Sequence, residues 1–173
     1  MRLRALRPGD ADALFALHSD ARVMRYWSYP AWTDVRQSVE HIARAERDRS
    51  LHESWPWAAT LRGDDALVGT CTLFGIQREH LRGVIGYALS PSLWGRGLAT
   101  EMVQRALLHA FDVLGLERIE ADIDPRNHAS CRLVERLGFR REGYLRERWR
   151  VGGGIQDTAL YGLLRREFMR GDR

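Results

Sequence analysis

The residues with the plainest chemical potential lie in one stretch, Ser90-Pro91-Ser92-Leu93-Trp94-Gly95-Arg96-Gly97-Leu98-Ala99-Thr100, where an apolar run stops, two glycines follow and a helical pattern begins. The first turn of a helix carries unpaired backbone N–H groups and the positive end of the macrodipole. Gly95 and Gly97 would let the preceding loop approach a ligand with no Cβ in the way. Such a cradle suits a phosphate. Taken alone, a G-x-G turn is more often an ordinary strand-to-helix connection, so its surroundings must decide. A second candidate is Tyr26-Trp27-Ser28-Tyr29-Pro30-Ala31-Trp32, with four aromatic residues in seven. Rigid aromatics either wall a substrate cleft or lid a hydrophobic core, and the sequence leaves both readings open.

The elements that would hold these residues follow from periodicity. A short strand within Met1–Arg7 ends at Pro8-Gly9-Asp10, and Asp10 is expected to cap a helix bearing Ala13, Leu14 and Leu17, with a further short helix somewhere in Arg22–Tyr29. Thr33 is expected to cap a helix running to about Ser50. The period then changes. Trp55–Leu61, Ala66–Ile76 and Gly83–Leu89 read as three antiparallel strands, joined by the turn Arg62-Gly63-Asp64-Asp65 and a looser one at Gln77–Arg82. Pro91 ends the third, since it has no N–H for a ladder. Beyond the glycine loop, Leu98, Met102, Ala106, Leu107, Ala110, Phe111 and Leu114 mark one helical face that stops at Gly115. Ile119, Ala121 and Ile123 alternate with Glu120 and Asp122 as a strand. Asn127, two residues after Pro125, is a good N-cap for a helix to about Leu137, with Gly138 after it. Phe139–Trp149 and Ile155–Leu164, joined by Gly152-Gly153-Gly154, close the chain as a hairpin. The result is a mixed α/β sandwich.

Composition removes several classes of function. All 27 basic residues among the 173 are arginine, so neither a P-loop lysine nor a pyridoxal Schiff base is available. The missing third glycine and the absence of repeated βαβ units disfavour a dinucleotide fold. The six histidines show no metal-ligand spacing, and Cys71 and Cys131 sit apart within apolar patterns, so neither a metal nor a disulfide is expected. With no signal-like run and no stretch of about 18 apolar residues, a cytoplasmic protein of one domain spanning 1–173, with no membrane partner, is expected. A net charge of +4 speaks for solubility rather than nucleic-acid binding.

Taken together, Ile85-Gly86-Tyr87 with Leu89-Ser90-Pro91, Trp94-Gly95-Arg96-Gly97-Leu98-Ala99-Thr100-Glu101, Asn127-His128-Ala129-Ser130, Leu137-Gly138-Phe139 and Glu142-Gly143 resemble the GNAT superfamily of acetyl-coenzyme A-dependent N-acetyltransferases. Within it the match is to the ribosomal-protein acetyltransferases of the RimJ/RimL type, from Leu3 to about Leu164. The resemblance implies a mostly antiparallel central sheet with helices on both faces. Two of its strands splay apart so that pantetheine inserts like an extra strand. It implies that the backbone near Leu89 and Ser90 meets the acetyl and pantetheine region, and that the loop of Trp94, Gly95, Arg96, Gly97, Ala99 and Thr100 holds the phosphates of acetyl-CoA. Asn127 would contact pantetheine, and Ser130 would bond or protonate the leaving thiolate as the catalytic residue; from structure alone Asn127 is an N-cap and Ser130 a first-turn residue. Trp27, Tyr29, Trp32, Tyr87 and Trp149 are candidates for the acceptor side.

The implied reaction is attack of a neutral amine on the acetyl carbonyl in a ternary complex, helped by a strand N–H near Leu89. An α-amine has a pKa roughly 2.5 units below that of a lysine side chain, worth about 3.5 kcal/mol in deprotonation near neutrality. An α-amine is therefore the easier acceptor, and the resemblance to RimJ/RimL-type enzymes is what makes a protein or peptide N-terminus the expected one. A small-molecule amine such as an antibiotic or polyamine is the nearest alternative, and a coenzyme A sensor without turnover or an RNA-docking module are others. Family members are often monomers or homodimers. No base is assigned: Val84 stands where many relatives carry Glu, and Trp149 falls on the acidic position of the penultimate strand. Glu147, Asp157 or a water relay are the substitutes considered.

Overall fold

The computed structural model describes residues 1–168. Its strands are β1 (Arg2–Ala5), β2 (Trp55–Thr60), β3 (Leu67–Gln77), β4 (Arg82–Leu89), β5 (Arg118–Ile123), β6 (Arg140–Val151) and β7 (Gly154–Leu164). Its helices are α1 (Ala11–Ser19), α2 (Ala21–Met24), α3 (Arg36–Ser50), α4 (Leu98–Leu108), α5 (His128–Arg136) and α6 (Arg165–Phe168), and α4 runs on into a wider helical turn, His109–Val113. The seven strands form one sheet in the order β1-β2-β3-β4-β5-β7-β6. Each neighbouring pair is antiparallel apart from β4 and β5, which are parallel.

That parallel pair is the feature on which the rest depends. β4 and β5 are hydrogen-bonded neighbours only where Arg82, Gly83 and Val84 face Arg118, Ile119 and Glu120. β4 continues to Leu89 and β5 to Ile123 without further pairing, so the two strands diverge and leave a slot in the middle of the sheet. Unpaired backbone groups inside a sheet must find other partners, which makes such a slot a place for an extended ligand.

Alternation along the strands assigns a face to each residue. Ile85 and Leu89 of β4 and Ile119, Ala121 and Ile123 of β5 pack with Met102, Val103, Ala106 and Leu107 of α4 and Leu133 and Val134 of α5. On the other face, Leu14, Leu17, Val23, Met24 and Ile42 of α1, α2 and α3 pack with Ala58, Leu67 and Ala88. Each fully buried Leu, Ile or Met side chain contributes about 1.5–3 kcal/mol. These two apolar layers, one on each side, fix the slot's edges. Helices on both faces of a mostly antiparallel sheet are as the sequence leads one to expect.

Two local expectations are corrected and a third is made specific. Asp10 precedes α1, but its carboxylate is bound by both terminal nitrogens of Arg4 at 2.7 Å and by the Arg7 amide, so it pins β1 to α1 instead of capping the helix. α3 begins at Arg36, not after Thr33, because Asp34 accepts the Arg36 N–H at 2.8 Å and Gln37 reaches back to the Thr33 N–H at 2.8 Å. The connection at Gln77–Arg82 is a short 3-10 turn, Arg78–His80, that ends on Leu81 in a left-handed conformation, φ 48°. Boundaries elsewhere agree within a residue or two.

Candidate active site

The glycine loop is built from backbone. Gly95 and Gly97 have φ of 73° and 74°, a left-handed conformation that costs other residues about 1–2 kcal/mol. A Cβ built on either would meet nothing within 4 Å, so the loop stands open at the mouth of α4, and Gly97 is the residue that starts the helix. Trp94 anchors this loop: its indole N–H donates to the Leu89 carbonyl at 2.7 Å, tying the turn to the last residue of β4. The Leu89 side chain is buried, and the Ser90 N–H bonds the Val68 carbonyl at 2.8 Å. Arg96 is exposed on the loop. Ala99 and Thr100 lie in the first turn of α4, and the Thr100 hydroxyl is 3.5 Å from Arg136 of α5. Arg136, a last-turn residue of α5, thus adds a guanidinium to the loop; nothing in its spacing signalled this.

The glycine loop and the slot both border α5. Asn127 caps α5, its side-chain oxygen accepting the Ser130 N–H at 3.2 Å. Ser130 Oγ lies 2.6 Å from the Tyr87 hydroxyl on β4, so this pair bridges one wall of the slot to the helix. Burial raises the Tyr87 pKa well above its ordinary value, and the phenol stays protonated. A hydroxyl pair of this kind can pass a proton to an atom placed beside Ser130.

A cleft of about 740 Å³ runs through the slot, and Tyr87, Asn127 and Ser130 share its lining with Trp27, Asp122 and Trp149. Its far wall is charged. Glu120 accepts from Arg82 at 2.9 Å and Arg118 at 2.8 Å, Glu142 pairs with Arg118, and Asp124 pairs with Arg126 at 2.6 Å. Asp122 is different. Its Oδ1 accepts the Thr158 hydroxyl at 2.6 Å and the Trp149 indole N–H at 3.4 Å, and the nearest guanidinium, that of Arg148, is 3.9 Å from Oδ2.

The structure places five of the candidates, Trp27, Tyr87, Asn127, Ser130 and Trp149, on one cleft, keeps those of Leu89–Thr100 on the glycine loop outside its lining, and puts two elsewhere. Trp27, Tyr87 and Trp149 line the cleft. Tyr29 and Trp32 do not. Tyr29 stacks on His18 and donates or accepts a hydrogen bond with its Nδ1 at 3.2 Å, and Trp32 stacks on the same ring at a centroid distance of 4.5 Å, so both belong to the lid over the α1–α3 core. Burial holds the pKa of His18 down at about 4, with nearby His41 adding to the shift. Glu147 and Asp157 pair on the outer hairpin, the Glu147 N–H bonding Asp157 at 2.8 Å, and neither lines the cleft. Asp122 and Thr158 escaped the sequence reading because alternation shows only that Asp122 leaves the core face, not that the strand beside it departs. Among the described residues no group of three or more His, Cys, Asp or Glu is placed to hold a metal, and no helix is long and apolar enough to cross a membrane.

Known proteins resemble this chain in sequence and fold. Residues 1–140 match the model of the acetyltransferase (GNAT) domain. The uncharacterized N-acetyltransferase p20 of Bacillus licheniformis is 35% identical over 169 residues, which is 97% of this chain and 94% of p20. Among solved structures, RimJ of Mycobacterium smegmatis in complex with CoA-disulfide superposes with a TM-score of 0.87 at 25% identity, covering 95% of this chain and 82% of that one. The spermidine N-acetyltransferase of Vibrio cholerae in complex with CoA and spermine has a TM-score of 0.86 at 24% identity, over 97% of both chains, a likeness of fold.

Proposed function

The chain belongs to the GNAT acetyltransferase family and uses acetyl-CoA as its acetyl donor; on that premise we propose that its acceptor is a single primary amine, in the first place the α-amine of a protein or peptide N-terminus, in the manner of RimJ/RimL-type enzymes of the cytoplasm. The residues fit the donor: the open glycine loop and Arg96, with Arg136 at Thr100, suit the phosphates, and the slot between β4 and β5 suits an extended chain that ends at Ser130. The donor supplies an activated acetyl thioester. The protein's part is to place it, to exclude competing water and to manage two protons.

Alternation divides that work between the two faces of the sheet. Tyr87 packs toward α5 with the α4-side core, where Ser130 waits for a leaving sulfur. Glu120 and Asp122 leave β5 on the opposite side, where Trp27 and Trp149 flank the cleft. Donor and acceptor thus approach from opposite faces and meet in the slot, a direct transfer in a ternary complex.

The observation that favours one amine over several is the state of the cleft's carboxylates. Glu120, Glu142 and Asp124 are each matched by an arginine, and Asp122 alone among them has no guanidinium within hydrogen-bond distance. One open carboxylate suits one ammonium. A polyamine carries several, and the other cleft-lining carboxylates among the described residues are already held by arginines. The fold likeness to a spermidine enzyme keeps the polyamine as the second reading. Incubation with acetyl-CoA and a panel of N-terminal peptides, simple monoamines and spermidine, followed by free-thiol release, decides between them. Peptide α-amines are expected to have the highest kcat/KM. Spermidine surpassing every peptide would replace this reading with the polyamine one, and no amine-dependent thiol from any acceptor would remove both.

A further inference from the structure

The sequence assigns no proton acceptor, and the fold places hydrophobic or neutral groups at the two positions where the resemblance looks for acid: Val84 on β4 and Trp149 on β6. Both line the cleft. The carboxylate between them in space comes from a third strand. We infer that Asp122 of β5 is the catalytic base of this chain, taking the proton from the acceptor ammonium, and that Thr158 and Trp149 are the residues that position it. The inference deepens the acetyl-transfer reading and rests on it.

The geometry is specific. Thr158 is fully buried on β7, so its hydroxyl is fixed, and it donates to Oδ1 of Asp122 at 2.6 Å. The Trp149 indole N–H, 3.1 Å from the Thr158 oxygen and 3.4 Å from the same Oδ1, closes a three-membered cluster. Two donors on one oxygen orient the carboxylate and leave Oδ2 without a hydrogen bond among the described residues, with Arg148 at 3.9 Å as its nearest cation there. A side-chain exposure of 25% makes Asp122 reachable but not freely solvated. The register explains how it reaches the reaction. Val84 faces Glu120 in the last paired position, so two residues further along each strand Gly86 and Asp122 stand on either side of the opening. Gly86 brings no side chain into the opening from β4, and the Phe74 ring of β3, which a Cβ at Gly86 would meet at 3.4 Å, lines the cleft beside it.

The other carboxylates are less suited. A guanidinium held at 2.6–2.9 Å keeps a proton-accepting oxygen occupied, as at Glu120 and Asp124, and Glu142 is held likewise by Arg118. The proton balance is simple. Asp122 takes one proton from R–NH3+. The freed nitrogen pair forms the C–N bond, the C–S bond breaks with its electrons on sulfur, and the nitrogen's second proton is delivered to sulfur by way of the Ser130–Tyr87 hydroxyls. Asp122 then releases its proton to solvent, leaving one amide and one thiol.

The test uses Asp122→Asn, which keeps an Oδ1 for Thr158 and Trp149 and so preserves the cluster. Two acceptors are compared: a peptide α-amine, largely protonated in the assay, and an aromatic amine, neutral in the same buffer. Loss of a base is expected to lower kcat/KM for the peptide by about 10²–10⁴-fold while the aromatic amine changes by no more than about threefold. Coenzyme A affinity, measured by calorimetry, is expected to be unchanged. As a second measurement, Asp122→Gly is expected to regain rate on the peptide when formate is added. Equal losses for both amines, no loss for either, or a formate-insensitive Asp122→Gly that still binds coenzyme A would overturn the assignment while leaving acetyl transfer by the wild-type protein intact. A wild-type protein that releases no thiol with any amine would instead overturn the transfer reading, and this inference with it.

Discussion

The glycine loop and the cleft are made in different ways. The glycine loop, the proposed donor site, is local and largely backbone: eleven consecutive residues supply the turn, the positive-φ glycines and the first turn of α4, with Trp94 tying the loop to Leu89. The cleft wall proposed for the acceptor is assembled from side chains distant in sequence. Asp122, Thr158 and Trp149 come from β5, β7 and β6, and Trp27 arrives from beyond α2. A backbone cradle tolerates sequence change provided its glycines remain, whereas a side-chain cluster can be rebuilt with other residues. Such an arrangement lets one donor serve many acceptors.

The comparison can be broken at four points. The largest effect is expected at the junction. Ser130→Ala removes the hydroxyl that Tyr87 orients, and kcat is expected to fall by about 10²–10³-fold with coenzyme A affinity unchanged; an equal loss of affinity would mean that Ser130 holds the cofactor instead. Next is the cradle. Gly97→Ala forces a side chain into the left-handed region at a cost of about 1–2 kcal/mol, so coenzyme A binding is expected to weaken by roughly 5–30-fold, with no change in the acceptor's KM at saturating donor.

At the acceptor end the opposite signature is expected. Thr158→Val deletes the hydroxyl held by Asp122, and kcat/KM for the amine is expected to drop by about 3–10-fold, the worth of one hydrogen bond, with coenzyme A binding intact. The smallest catalytic effect belongs to Arg136→Ala. As an exposed charge beside Thr100, it is expected to weaken coenzyme A by only about two- to fivefold, and less in high salt.

The aromatic segment offers a test that leaves catalysis aside. His18 is buried, with Nδ1 paired to Tyr29 and no partner for Nε2 among the described residues. Its folded pKa of about 4 lies below the ordinary 6.5, so the folded state binds fewer protons than the unfolded one. Stability is therefore complete above about pH 6.5 and is lost as the pH falls through about 4, by on the order of 3 kcal/mol from this residue. His18→Phe is expected to flatten that slope in denaturant titrations between those two pH values. A slope identical in the two proteins would show that His18 is not what the lid protects.

How much of this could be read in advance follows from the same contrast. The Gly95 and Gly97 turn, the Asn127 cap and the apolar faces of β4, β5 and α4 are legible because each depends on residues a few positions apart, and they suffice for the fold and the donor. Tyr29 and Trp32 were not legible, because an aromatic lid and an aromatic wall share one composition; only packing on His18 distinguishes them. Asp10 was misjudged as a cap because Arg4, six residues earlier, claims its carboxylate. Asp122 reads as one more outward residue on an alternating strand. What makes it an interior group of the cleft is the departure of β4 after Val84, a property of two strands with no mark in either.

The central claim, that donor and acceptor enter from opposite faces and meet between β4 and β5, is tested most directly by a crystal structure with a peptide joined through its α-nitrogen to coenzyme A. The account predicts the diphosphate on the backbone of residues 95–100, the sulfur beside Ser130, and the peptide nitrogen about 3 Å from Asp122 or one water away. A peptide lying on the α4–α5 face, or a nitrogen directed at Glu120 or Glu142 with Asp122 untouched, would contradict it.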